Sequence, residues 1–148
     1  MSLKERITED MKSAMRAKDT ERLGTIRMLQ AAIKQREVDE RITLDDAQVM
    51  AALEKMIKTR KEAMEQFLAG NRQDLVDKEA REIAQLKVYL PEQLSTAELA
   101  AVIDAAITSV GASSIKDMGK VVAAVKQQAA GRADMAAVSA AIKAKLGG

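Results

Sequence analysis

The chain has 148 residues, 47% of them apolar, and its only aromatic residues are Phe67 and Tyr89. That is enough for one ordinary domain or two small ones, with cores built from Leu, Ile, Val, Met and Ala. The absence of histidine and cysteine excludes disulfides, thiolate metal sites, Ser-His-Asp triads and cysteine nucleophiles, and the formal net charge of +2 by itself names no partner.

One proline and seven glycines give little punctuation for a β protein, while nine methionines suit helix–helix packing. The fold class read from this is all-α. Leu3, Ile7, Met11, Ala14 and Met15 recur at helical spacing. A second helix is expected from an N-cap at Asp19 to about Val38, with Leu23, Ile26, Leu29, Ala32 and Ile33 on its apolar face. The charged stretch Glu37–Arg41 then breaks the pattern, and Thr43 with Asp46 forms a weak capping box. A long third helix follows with Val49, Leu53, Met56, Ile57, Met64, Phe67 and Leu68 on one side, ending at Gly70-Asn71. The fourth covers roughly Gln73–Val88.

Tyr89-Leu90-Pro91 marks a boundary, because proline disfavours helical geometry at the residue before it. Ser95 and Glu98 then form a capping box, and alanine becomes frequent. The expected organisation is an N-terminal long-helix hairpin or bundle over 1–90 and a small three-helix domain over 91–148. Its helices are expected over about 96–110, ending at Gly111; from near Ser114 to Ala130, ending at Gly131; and from an N-cap at Asp134 through Met135, Val138, Ile142 and Leu146. A fragment ending at Leu90 is expected to stay helical.

Charge is unevenly spread. Residues 1–90 carry +1, residues 91–114 carry −3 and residues 115–148 carry +4. The basic excess at the C-terminal end favours an anionic partner there. Within it, Met118–Asp134 holds two glycine–cation pairs, Gly119-Lys120 and Gly131-Arg132. Glycine permits a close approach of backbone or phosphate, and a neighbouring cation makes a contact point for a polyanion. Lys116, Lys126 and Lys143 add general attraction. Lys120 and Arg132 are expected on the surface. The plain alternative is that Gly119 serves helix packing and Gly131 terminates a helix. Lys55, Lys58 and Lys61, beside Arg60 on the third helix, form a possible second basic face or an ordinary solvated one.

No Walker A or GxGxxG loop is present. The carboxylates of Val38–Asp46 read as a solvated loop with helix-capping acids rather than a magnesium site. No metal and no cofactor is expected. No apolar run reaches the ~18 residues of a membrane span, and the charged start MSLKERITEDMK is unlike a signal peptide, so a cytoplasmic location is expected.

Four blocks carry a family resemblance: Arg22–Ile33, Met56–Phe67 with Gly70–Leu75, Tyr89–Leu94, and Lys116–Leu146. Through them the chain resembles the stand-alone members of the GatB/YqeY family. It is also similar to the C-terminal region of the B subunit of glutamyl-tRNA/aspartyl-tRNA amidotransferase. The resemblance implies two helical domains and a tail that helps hold tRNA. The tail motif maps onto Gly119, Lys120, Gly131 and Arg132; Val122 replaces a common methionine and Met135 a common glycine or proline. The subunit's kinase-like region is not matched, nor is the separate subunit that hydrolyses glutamine. The expected function is therefore a non-catalytic tRNA-binding or amidotransferase-related accessory role, with tRNA, and a tRNA-modifying or aminoacylating enzyme, as partners. The competing readings are a helical protein–protein adaptor and a carbon–nitrogen ligase component, with glutamine as amido donor, active only in complex.

Overall fold

A computed structural model describes residues 1–147. It is all-α: seven α-helices and one 3-10 turn, with no strand among the described residues. The chain divides into two units, Met1–Leu90 and Pro91–Gly148.

The first unit contains α1 (Leu3–Arg16), α2 (Thr20–Glu40), α3 (Asp46–Ala69) and α4 (Gln73–Lys87). Ser2 and Glu5 cap α1 reciprocally, satisfying amides that have no intrahelical partner. Asp19 caps α2 by accepting from the Arg22 amide. The main pairings are α1 with α2 and α3 with α4, and α2 also touches α3 and α4. Ile7, Ile26, Leu29, Ile33, Val49, Leu53, Ile57, Ile83 and Leu86 make one aliphatic core, closed by Tyr89. Leu29 and Leu53 are fully buried, so truncating either to alanine costs about 2–5 kcal/mol.

Two expectations fail between α2 and α3. Glu37–Glu40 does not break α2; the helix runs on until Arg41 adopts a left-handed conformation (φ 55°). Glu37 is held there because its carboxylate accepts from Lys4 Nζ at 2.6 Å and from the Leu44 amide at 2.9 Å. The N-cap of α3 is Asp45, not Thr43, and its reciprocal partner is Gln48. Glutamine supplies the side-chain acceptor that the Asp45 amide needs. Along α3 the expected apolar side is only partly covered: Val49, Leu53 and Ile57 are buried, whereas Leu68 is exposed.

The second unit contains α5 (Thr96–Val110), the 3-10 turn Ile115–Asp117, α6 (Met118–Ala129) and α7 (Met135–Gly147). Ser95 and Glu98 form the capping box of α5, and Gly111 ends it. Helix α6 packs against both α5 and α7. The core is Ile103, Ala106, Val121, Val125, Ala129, Val138 and Ile142. So small an aliphatic core gives marginal stability in isolation. Among the described residues no single helix is long and apolar enough to cross a membrane.

Candidate nucleic-acid interface

The middle helix of the second unit begins later than the sequence suggests. Ser114–Asp117 forms a tight turn in which the Asp117 amide donates to the Ser114 carbonyl, and α6 proper starts at Met118. Asp117 favours that turn because its carboxylate accepts from the Ser113 amide at 3.1 Å. That contact, with a bond from Ser114 and the nearby Lys120 charge, holds the Asp117 carboxyl below its ordinary range.

Gly119 therefore sits in the first turn of α6, not in the interior of a helix. A Cβ built on it would meet nothing within 4 Å, so helix packing does not require a glycine there. Gly131 has the plain role: it follows the end of α6 with φ 75°, a conformation that costs a residue with a Cβ. The two glycine–cation pairs lie at opposite ends of α6, about 18 Å apart along its axis at 1.5 Å per residue. No single small anion bridges them.

Lys116, Lys120, Lys126 and Lys143 are exposed. Among the described residues none is in an ion pair, whereas Lys145 is paired with Asp104. At 100° per residue, the outer face of α6 presents Gly119 and Ala123 as a narrow strip, with Ala130 just past the end of the helix. Lys126 flanks one side; Lys120 and Gln127 flank the other. All six are exposed, while Val121, Val125 and Ala129 turn into the core.

Arg132 departs from expectation. It is half-buried, and its Nε donates to the Glu92 carbonyl at 3.1 Å. The reason is local: the Leu94 amide donates to the Arg132 carbonyl at 2.8 Å, and Gln93 Nε2 donates to the Gly131 carbonyl at 2.7 Å. The segment Pro91–Ser95 is thus laced to the turn between α6 and α7. The Arg132 charge also reaches Glu98, whose carboxyl is held low first by the Ser95 amide, then by the Ser95 hydroxyl, then by Arg132. At the start of α7, Asp134 Oδ1 accepts from the Ala136 amide at 3.0 Å, so that donor is already engaged. Glu92, Gln93 and Leu94 were missed as site residues by sequence reasoning. Their only signal was membership of the Tyr89–Leu94 block.

In the first unit Lys55, Lys58 and Lys61 are exposed, but Arg60 is not one of them. Its side chain is 13% exposed, with Nε 3.0 Å from Glu82 and 3.8 Å from Glu79. A cleft of about 240 Å³ between α1 and α2 is lined by Lys4, Ile7, Thr8, Gln30, Ile33, Lys34 and Glu37. Its carboxylate is already joined to Lys4. Among the described residues no three acidic side chains converge as a metal site.

The fold and its charges define an all-helical protein of two units whose unpaired lysines include four in the second. The sequence model of the family described as "Yqey-like protein" matches residues 4–146, and the chain belongs to that family. It is 39% identical over 104 residues to "Altered inheritance of mitochondria protein 41, mitochondrial" of Lachancea thermotolerans, covering 70% of this chain and 54% of that protein. The protein of the same name from Kluyveromyces lactis is 39% identical over 84 residues, 56% of this chain and 45% of its own. That from Saccharomyces cerevisiae is 35% identical over 91 residues, 61% and 49% respectively. The chain spans about half the length of the curated relatives it matches.

Proposed function

We propose that this protein is a non-catalytic accessory factor that binds tRNA through its second unit, by the sugar–phosphate backbone. The outer face of α6, with Ala130 just past its end, carries this reading: a strip of Gly119, Ala123 and Ala130 between Lys126 and the pair Lys120 and Gln127, all exposed. A strip without side chains beyond Cβ lets a nucleic-acid backbone lie close, and flanking cations replace its condensed counterions. Base stacking has little support, since Tyr89 is buried and both aromatics belong to the first unit. Recognition by shape and phosphate is the mode left to such a surface. The likeness to the tRNA-holding tail of the amidotransferase B subunit supports the same ligand. The cytoplasm is the proposed compartment; the named relatives are mitochondrial proteins.

A second reading, the protein–protein adaptor, draws on Ala97, Ala101 and Ala105 on α5 and Ala136, Ala140 and Ala144 on α7. These are exposed at four-residue spacing and suit close helix docking. A part in a carbon–nitrogen ligase complex requires the partner to bring the chemistry, as this chain has neither histidine nor cysteine.

The test is tRNA affinity across a salt series, for wild type and for a variant with Lys116, Lys120, Lys126 and Lys143 all changed to Gln. Affinity of the wild type falls steeply with salt, and each lysine that meets a phosphate removes about one unit of slope in log affinity against log salt. Equal affinity and equal slope for the two proteins would overturn the reading in favour of the adaptor.

A further inference from the structure

The three hydrogen bonds between Pro91–Ser95 and the α6–α7 turn have a geometry that stability alone does not demand. Arg132 spends only Nε on the protein, on the Glu92 carbonyl. Among the described residues its two terminal nitrogens donate no hydrogen bond. A guanidinium has five N–H donors in a fixed plane. Anchoring the Nε edge fixes that plane and leaves the terminal N–H groups as a fork, the geometry that meets two phosphate oxygens at once.

That fork is only as well placed as the turn that carries it. Gly131 must hold φ 75°, and two contacts keep it there: the Gln93 side-chain amide on the Gly131 carbonyl and the Leu94 amide on the Arg132 carbonyl. The Leu94 contact is backbone to backbone and survives substitution, whereas the Gln93 contact depends on one side chain. Gln93 also donates to the Pro91 carbonyl at 3.2 Å, so one amide group ties the start of the segment to the turn.

We infer that Gln93 is a positioning residue: it holds the Gly131–Arg132 turn so that Arg132 presents its terminal N–H groups to a phosphodiester of the bound RNA. This rests on the tRNA-binding reading and adds to it a fixed, bidentate phosphate contact at the far end of α6 from Lys120. The Glu98 carboxylate senses the Arg132 charge more weakly than it does Ser95, so it offsets only a small part of the charge offered to the anion, and neutralising Glu98 strengthens the contact slightly.

The test uses the full chain and three variants. Gln93→Met keeps volume and charge but removes the donor. Arg132→Gln removes the fork. Glu98→Gln removes the opposing charge and keeps a side chain able to accept from the Ser95 amide. Two readouts are taken: the hydrogen-exchange rate of the Arg132 Nε–H by NMR, and tRNA affinity over a salt series. In Gln93→Met the Nε–H exchanges faster and affinity drops roughly threefold to tenfold, the cost of ordering one long side chain at binding. Arg132→Gln weakens binding at least as much and lowers the salt slope by about one. Combining Gln93→Met with Arg132→Gln then adds nothing further, an outcome that a merely structural role for Gln93 would not give. Glu98→Gln tightens binding slightly. If Arg132→Gln weakens binding while Gln93→Met leaves both exchange and affinity at wild-type values, the positioning role is wrong and the RNA reading stands. If the wild type shows no salt-dependent tRNA binding, the functional reading and its phosphate contact fall together, whatever Gln93 does to the turn.

Discussion

The Tyr89 hydroxyl donates to Asp10 Oδ2 across 2.7 Å, tying the end of the first unit back to its first helix. Arg6 lies over the Tyr89 ring at 5.0 Å and donates to the Val88 carbonyl. Arg22 approaches Asp10 at 3.8 Å. The tyrosine that marks a boundary in the sequence is thus a core residue of the unit it closes, 5% exposed. Burial, first, and the Asp10 carboxylate, second, push its ionisation well above the ordinary 10.0.

The alkaline consequence is spectroscopically clean, because Tyr89 is the only tyrosine and there is no tryptophan. A raised folded value means that the neutral phenol is favoured by the fold. Its stabilisation is complete below pH 10 and is lost as pH rises further. Near-ultraviolet titration should therefore show no tyrosinate near pH 10, with ionisation appearing together with loss of helical circular dichroism. Normal titration of a still-helical protein would contradict the buried contact. Tyr89→Phe should cost about 1 kcal/mol in denaturant unfolding, since Asp10 keeps Arg22.

Arg60 neutralises two carboxylates of α4 from its place on α3, and Glu82 beside it is 9% exposed by side chain. Removing the cation alone leaves those acids uncompensated in a poorly hydrated place. Arg60→Met should destabilise by about 3 kcal/mol. Adding Glu79→Leu and Glu82→Leu to Arg60→Met should recover most of the loss, because no uncompensated acid then remains. Thermal or urea unfolding of the two variants distinguishes this from a solvated ion pair, for which both changes would cost under about 1 kcal/mol.

Two glycines of the second unit, Gly119 and Gly131, should respond in opposite senses. Gly119 has open space where a Cβ would stand, so Gly119→Ala should stabilise by up to about 1 kcal/mol. Gly131 holds φ 75°, so Gly131→Ala should destabilise by about 1–2 kcal/mol. Gly119→Leu should preserve the helical circular dichroism yet impair tRNA binding, because bulk on the α6 strip blocks close approach while leaving every charge in place.

Acid should loosen the second unit only once pH falls below the ordinary carboxylate values. Glu98 and Asp117 are held below 4.5 and 3.8 respectively, chiefly by backbone amides. Depressed folded values give stability that is present above those figures and lost as pH falls through the lower, folded ones. Thermal midpoints measured from pH 6 to pH 3 should fall, and Asp117→Asn should flatten the lower part of that curve. Both groups are solvent-accessible, so added salt should reduce the effect.

Much of the fold is legible in the sequence because its signals are local. The i, i+3, i+4 spacing of Ile26, Leu29 and Ile33 defines a buried face within a single helix. Asp19, Ser95 and Asp134 cap helices through atoms no more than three residues away. The errors also have local competitors as their cause. Asp45 and Gln48 outbid Thr43 and Asp46 as a cap, and the Ser113–Asp117 bond tightens a turn that periodicity extends into α6.

The sequence by itself determined the helical class, the boundary after Leu90, the basic C-terminal end and the glycine–cation pairs, since composition, capping and periodicity act over a few residues. Only the tertiary structure decided which cations remain free. Arg60 and Arg132 carry the same charge as the exposed lysines, but contacts between residues 22 and 40 positions apart draw one into the core and fasten the other to Glu92. Sequence spacing carries no record of such pairings, because they form when helices pack and place remote backbone carbonyls and carboxylates beside each guanidinium.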